Sequence, residues 1–153
     1  MTARPNASLY DRDFFAWTQD QAAALRRSEK HLSGRGLDIE HLAEETEDMG
    51  NRERRELRSR IGVVLVHLLK WQFQSDRRSG SWRATLREQR EQIQGIIGDS
   101  PSLAKPTIEV VDHAYAIARL NAADETGMSL ATSPERCPYT LEQVLDDEFL
   151  PEA

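Results

Sequence analysis

Residues 61–73, IGVVLVHLLKWQF, constrain the fold more than any other stretch of this chain. Leu57, Ile61, Leu65 (or Val64), Leu68 and Trp71 (or Gln72) recur at helical spacing, and further apolar side chains occupy other sides of the same helix. A helix that is apolar nearly all round has to be covered by other elements, which places it at the centre of a bundle. It is not a membrane span. His67, Lys70 and Gln72 interrupt it, and it falls short of the roughly 18–20 apolar residues that a bilayer crossing needs.

The remaining pattern supplies the covering helices. Asp11 is read as an N-cap, with Tyr10 and Phe15 at the spacing of a hydrophobic staple and Phe14, Trp17, Leu25 and Leu32 following at helical multiples. Ser33, Gly34, Arg35 and Gly36 stop that helix. Asp38 caps the next, whose first stripe is Ile39, Leu42, Thr46 and Met49. Gly50-Asn51 then allows either two helices or one long bent one. Gly costs only about 1 kcal/mol inside a helix, so one element from about 39 to 75 is preferred.

Residues 75–81 read as a loop, with Ser79 or Ser81 capping a third helix that buries Trp82, Leu86, Ile93, Ile96 and Ile97 and ends at Gly98-Asp99. Ser100-Pro101 restarts the chain as cap and first helical residue. Pro106 either kinks that segment or moves the helix start to about 106. The fourth helix buries Val111, Tyr115, Ala118 and Ala122, with Ala114, Ile117 and Leu120 widening the face, and Gly127 is its C-cap. After a loop over 128–139, Thr140 caps a short last helix carrying Leu141, Val144, Leu145 and Phe149. No strand-like alternation occurs. The fold class expected is therefore all-α: a single-domain, up-and-down helical bundle of about four main helices with a short C-terminal helix, spanning 1–153.

The 153 residues, 39% hydrophobic and 30% charged, suit one domain that buries a core without staples. The lone cysteine, Cys137, cannot form an internal disulfide, and residues 1–6 lack the apolar block of a signal peptide. A cytoplasmic protein without a membrane segment is expected. The net charge of −6 conceals an asymmetry: residues 1–50 carry 6 basic and 10 acidic groups, residues 51–90 carry 11 and 4, and residues 91–153 carry 3 and 12. The basic middle either packs beside acidic parts of its own chain or meets an acidic partner or a nucleic acid.

Several stretches stand in an order that resembles a known family: Leu9-Tyr10-Asp11 to Trp17, LAEETEDM over 42–49, Arg55-Glu56-Leu57, HLLKW over 67–71, Ser81-Trp82, SPSL over 100–103, Glu125-Thr126-Gly127 and PYTL over 138–141. Over about 8–152 the chain looks like the bacterial family catalogued as domain of unknown function twenty-nine. That resemblance implies a compact all-helical fold. It implies no activity, so no catalytic residue is carried over.

Three clusters could carry chemistry. Glu44, Glu45, Glu47 and Asp48 crowd two helical turns just after His41, and carboxylates at this spacing can hold a divalent cation. A di-metal bundle needs Glu-x-x-His motifs from two helices, however, and Glu109 with His113 is only a loose echo. The structural alternative is a solvated acidic face near a helix N-terminus. His67, in the most apolar helix, is either a tuned acid or base near Lys70 or a core histidine with one satisfied bond. Within one straight helix it stands roughly 30 Å from the acidic cluster.

The arginines form the third cluster. Segments 52–60 and 77–90 include Arg55, Arg58, Arg83, Arg87 and Arg90 as interaction candidates, and Trp82 among them could stack a base. Glu56 and Arg60 are spaced as an ordinary helical ion pair, and no nucleic-acid-binding motif is present. Cys137 and the pair Ser100/Ser102 read as structural, as does an ion-pair cluster of Arg119 with Asp124 and Glu125. There is no glycine-rich phosphate loop or nucleophile elbow, and no cofactor is expected.

A non-catalytic protein-interaction module is the leading reading, its partner either another protein or a second copy of the chain, since the apolar girth of residues 61–73 also allows a symmetric homodimer. The alternatives are a metal-binding protein or enzyme built on Glu44, Glu45, Asp48 and one of His41, His67 or His113, and nucleic-acid contact through the two arginine-rich segments.

Overall fold

The computed structural model describes residues 8–105 and 107–153, with the side chains of Thr107 and Ile108 also left aside. Seven α-helices carry the described residues: α1 (Leu9–Arg12), α2 (Phe14–Arg27), α3 (Glu29–Leu32), α4 (Ile39–Phe73), α5 (Gly80–Asp99), α6 (Thr107–Thr126) and α7 (Leu141–Leu145). Short 3-10 turns occupy Ser75–Arg77, Pro101–Leu103 and Leu130–Thr132. The described residues contain no strand, so the all-α expectation holds. Helix α4 is one unbroken element of 35 residues and passes straight through Gly50. The proposed kink or helix start at Pro106 falls outside the described residues, and α6 begins at Thr107.

The chain divides into two compact units. The first takes residues up to 55 with 96–104, and the second takes 56–95 with 105–153. Helices α4 and α5 each contribute to both.

In the first unit the entry to α2 departs from the sequence reading. The N-cap is Asp13, not Asp11. Asp13 is extended (φ −157°, ψ 92°), so the chain breaks there after the single turn of α1. Its carboxylate accepts from the Ala16 N–H at 2.9 Å. The same carboxylate accepts the Ser102 N–H at 2.8 Å and the Ser102 hydroxyl at 2.9 Å. Asp11 instead accepts a bond from the Ser8 hydroxyl. Ser100, read as a helix cap, makes no cap bond with its side chain. Buried, it accepts the Phe15 N–H at 3.0 Å and donates to Glu53. Tyr10, Phe14 and Trp17 pack edge-on and stacked at the start of α2.

The buried stripe of α4 in this unit is Ile39, Ala43 and Gly50, while Leu42 and Met49 stay 45% and 37% exposed. The expectation placed the larger side chains inwards. Small residues win because α2 approaches closely: a Cβ on Gly50 would run into Thr18 Oγ1 and crowd Phe15 and Gln19.

The second unit is built on the apolar half of α4, as its girth demands. Leu57, Ile61, Val64, Leu65, Leu68 and Leu69 are buried, packed with Leu86 and Ile93 of α5 and Val111, Ala114, Tyr115, Ala118 and Ala122 of α6. Ser79 caps α5 through the Trp82 N–H at 3.3 Å. Gly127 takes φ +74° and ends α6, and Thr140 and Gln143 form a reciprocal capping box on α7. Ile117 and Leu120, expected to widen the buried face of α6, are each 52% exposed.

Candidate functional site

A groove of about 340 Å³ lies between α4 and α6. Helix α4 lines it with Arg58, Ser59, Gly62, Val63, Val66 and His67, and α6 with Ala114, Ile117, Ala118, Asn121 and Glu125. The groove exists because its floor is small. A Cβ built on Gly62 meets nothing within 4 Å, so the missing side chain is open space. Ala114 and Ala118, one turn apart on α6, are buried beside it. Volumes of this order fall within the range of small-ligand and anchor pockets.

The polar groups stand at the two ends. At one end Glu125 accepts from Lys70 Nζ at 3.1 Å, and the Lys70 ammonium lies 4.8 Å from the centroid of the Trp82 ring. His67 belongs to the same end. Its Nδ1 lies 2.8 Å from the Val63 carbonyl. A carbonyl only accepts, so Nδ1 carries the proton in the neutral ring and Nε2 remains an acceptor. Burial holds the imidazole below the usual histidine range; Lys70 pushes it the same way, while the Val63 bond and Glu125 oppose. Arg58 marks the other end, exposed and with no ion pair among the described residues. The two helices therefore run parallel along the groove, from a basic end to an acidic one.

Catalytic pairing is not evident in this geometry. Ser59 and His67 are eight residues apart on one helix, about 12 Å along its axis. Glu125 already has Lys70.

The acidic cluster disperses among local partners. Glu47 meets Arg26 at 3.0 Å and Glu45 meets Arg52 at 3.8 Å, while Glu44 and Asp48 are exposed. His41 pairs with the capping Asp38 at 2.6 Å. Glu109 and His113 are exposed on α6. Among the described residues no three His, Cys, Asp or Glu side chains stand where they could share a metal ion.

The arginine candidates separate into two kinds. Arg55, Arg58, Arg83 and Arg87 are exposed. Arg83 and Arg87 line a smaller concavity of about 220 Å³, whose other wall carries Asp147 and Glu148. Arg90, expected on the same basic face, is instead 1% exposed. Its guanidinium donates to the carbonyls of Val144, Phe149 and Gln143 at 2.9, 3.0 and 3.0 Å. Burial depresses its pKa, and Asp146 and Asp147 oppose the shift. Arg78 likewise turns inwards, donating to the Trp71 carbonyl at 2.8 Å and lying over the Trp71 ring. Trp82 is half-buried beneath Lys70.

Arg119 does not join Asp124 and Glu125. It donates to the carbonyls of Leu130 and Ser133 at 2.9 and 3.0 Å, tying down the loop after α6. Cys137 is half-buried, with burial raising its thiol. Sequence reasoning named Arg58 and His67 but missed Gly62, Asn121 and the two alanines as parts of one site. The available signal was the pairing of small residues at helical spacing with an apolar helix.

Among the described residues no helix is long and apolar enough to cross a membrane. The fold is shared with an α-helical protein of unknown function from Rhodospirillum rubrum, whose crystal structure matches with a TM-score of 0.73 at 24% identity, over 94% of this chain and 93% of that one. No curated protein matches the chain. The model of the family described as Domain of unknown function DUF29 matches residues 9–150, nearly the whole chain, and the protein belongs to that family.

Proposed function

We propose that the protein is a non-catalytic interaction module that receives an apolar partner segment in the α4–α6 groove. One observation carries this reading: Ile117 stands 52% exposed beside a floor formed by Gly62, Ala114 and Ala118. A half-exposed isoleucine alone needs no explanation. Set beside an open hollow of small residues it makes a ready contact surface, since fully burying such a side chain contributes about 1.5–3 kcal/mol. Polar groups at both ends would orient the partner, as the rim of an interface does. The same reading places the protein in the cytoplasm, in keeping with one cysteine kept as a half-buried thiol.

The test combines a photo-crosslinking residue with a plug. A benzophenone amino acid at position 117 is expected to capture a protein partner that the same group at Ser129 does not. Gly62→Leu, which fills open space, is expected to abolish the capture while leaving the helical content intact. Equal capture from both positions, or capture indifferent to the plug, would remove the groove as the recognition surface.

A further inference from the structure

Accepting the groove as the recognition surface, we infer that its occupant is a second copy of this chain, docked about a two-fold axis. The chain carries both halves of the contact on one face. The hollow is floored by Gly62 and Ala118. The ridge is on α6, where Ile117 and Leu120 are each 52% exposed, and Asp124 follows Ile117 by seven residues. Residues at i, i+3 and i+7 lie on one helix face, the arrangement with which an amphipathic helix enters an apolar groove.

Charge then selects the partner and its direction. The groove runs from Arg58, exposed and without an ion pair among the described residues, to the acidic end of α6 at Asp124 and Glu125. A two-fold axis across the middle of the groove reverses its direction in the second copy. The Arg58 end of one copy then meets the Asp124 end of the other, twice per dimer. A parallel arrangement would set arginine against arginine and acid against acid, which costs affinity. The surface is therefore self-complementary in shape and in charge, as an isologous contact requires.

Sedimentation velocity on the full chain across the micromolar range tests this. A concentration-dependent dimer is expected. Ile117→Glu should weaken it by at least about tenfold, because a desolvated central anchor is lost. Arg58→Glu should weaken it too, and the double variant Arg58→Glu/Asp124→Arg should restore it, since each chain then brings both reversed charges. Ile117, Arg58 and Asp124 are all exposed, so circular dichroism should stay near that of the unsubstituted chain, and Tm should match it at concentrations where both are monomeric. A monomer at every concentration overturns the inference, as does a dimer that neither single substitution moves or that the charge reversal fails to rescue. If the chain is monomeric and position 117 still crosslinks a different protein, self-association falls and the interaction reading stands.

Discussion

Arg90 donates its Nε–H to the carbonyl of Val144, 54 positions away, at 2.9 Å inside a fully covered site. With the bonds to Gln143 and Phe149, the one guanidinium satisfies three carbonyls at the end of α7 and beyond. Short helices leave their terminal carbonyls without intrahelical donors, so α7 depends on this side chain for its C-terminal end. Arg90→Ala would strand those acceptors and open a void. Each buried acceptor left unmade costs about 1–3 kcal/mol, so a loss of at least about 3 kcal/mol is expected. Denaturant unfolding of the variant gives the number, and amide exchange should show protection lost first over 141–150. Arg87→Ala, one turn away and exposed, should stay within about 0.5 kcal/mol.

Two glycines on the same helix should respond to alanine with opposite signs. A Cβ at Gly50 would collide with Thr18 Oγ1 and press on Phe15. Gly50→Ala is expected to destabilise by about 1–3 kcal/mol through overpacking. Gly62 faces empty space, so Gly62→Ala gains helix propensity without a clash and should stabilise by about 0.5–1 kcal/mol. Thermal unfolding of both variants decides it. Equal shifts would mean that neither close approach nor groove exposure distinguishes the two positions.

That pair also marks where the sequence was readable. A 3.6-residue period placed helix over both halves of α4, and the small cost of Gly inside a helix favoured one element over two, which is what forms. Capping chemistry located Gly127 and Thr140 and narrowed the start of α5 to Ser79 or Ser81, of which Ser79 makes the bond. Periodicity weighs large apolar side chains, so it assigned Leu42, Met49, Ile117 and Leu120 to the interior. Closeness of approach decided otherwise, and alanine and glycine took those faces. Asp11 and Asp13 are equivalent as capping residues in sequence; only the tertiary donors of Ser102 favour Asp13. The burial of Arg90 and the turn of Arg119 towards its loop were illegible for the same reason, because the acceptors come from distant or irregular backbone.

The two perturbed histidines should impose opposite pH trends. His67 is held below its usual value near 6.5 in the folded chain, mainly by burial. Between its folded value and 6.5 the unfolded chain binds the extra proton, so stability is full above that range and falls as the pH drops through it. His41 is raised by its bond to Asp38, so its contribution is present below 6.5 and is lost as the pH climbs through the folded value. Chemical unfolding from pH 5 to 8 is expected to lose its acid-side slope in His67→Phe and its alkaline-side slope in His41→Gln. Unchanged slopes in either variant would assign the trend to other groups.

The ion pair beside His67 gives a sharper test of the groove's acidic end. Lys70 lowers the imidazole pKa and Glu125 raises it, so removing each should move the same resonance in opposite directions. Glu125→Gln should depress the His67 pKa further, and Lys70→Gln should lift it towards the ordinary value. The stability changes should differ in kind. Glu125 is half exposed, so neutralising it should cost no more than about 1 kcal/mol. Lys70 is much more covered and lies over Trp82, so its loss removes packing as well as charge. An NMR titration of the imidazole in the three proteins reads the pKa directly. Shifts of the same sign in both variants would mean that His67 senses a rearranged groove and not the two charges.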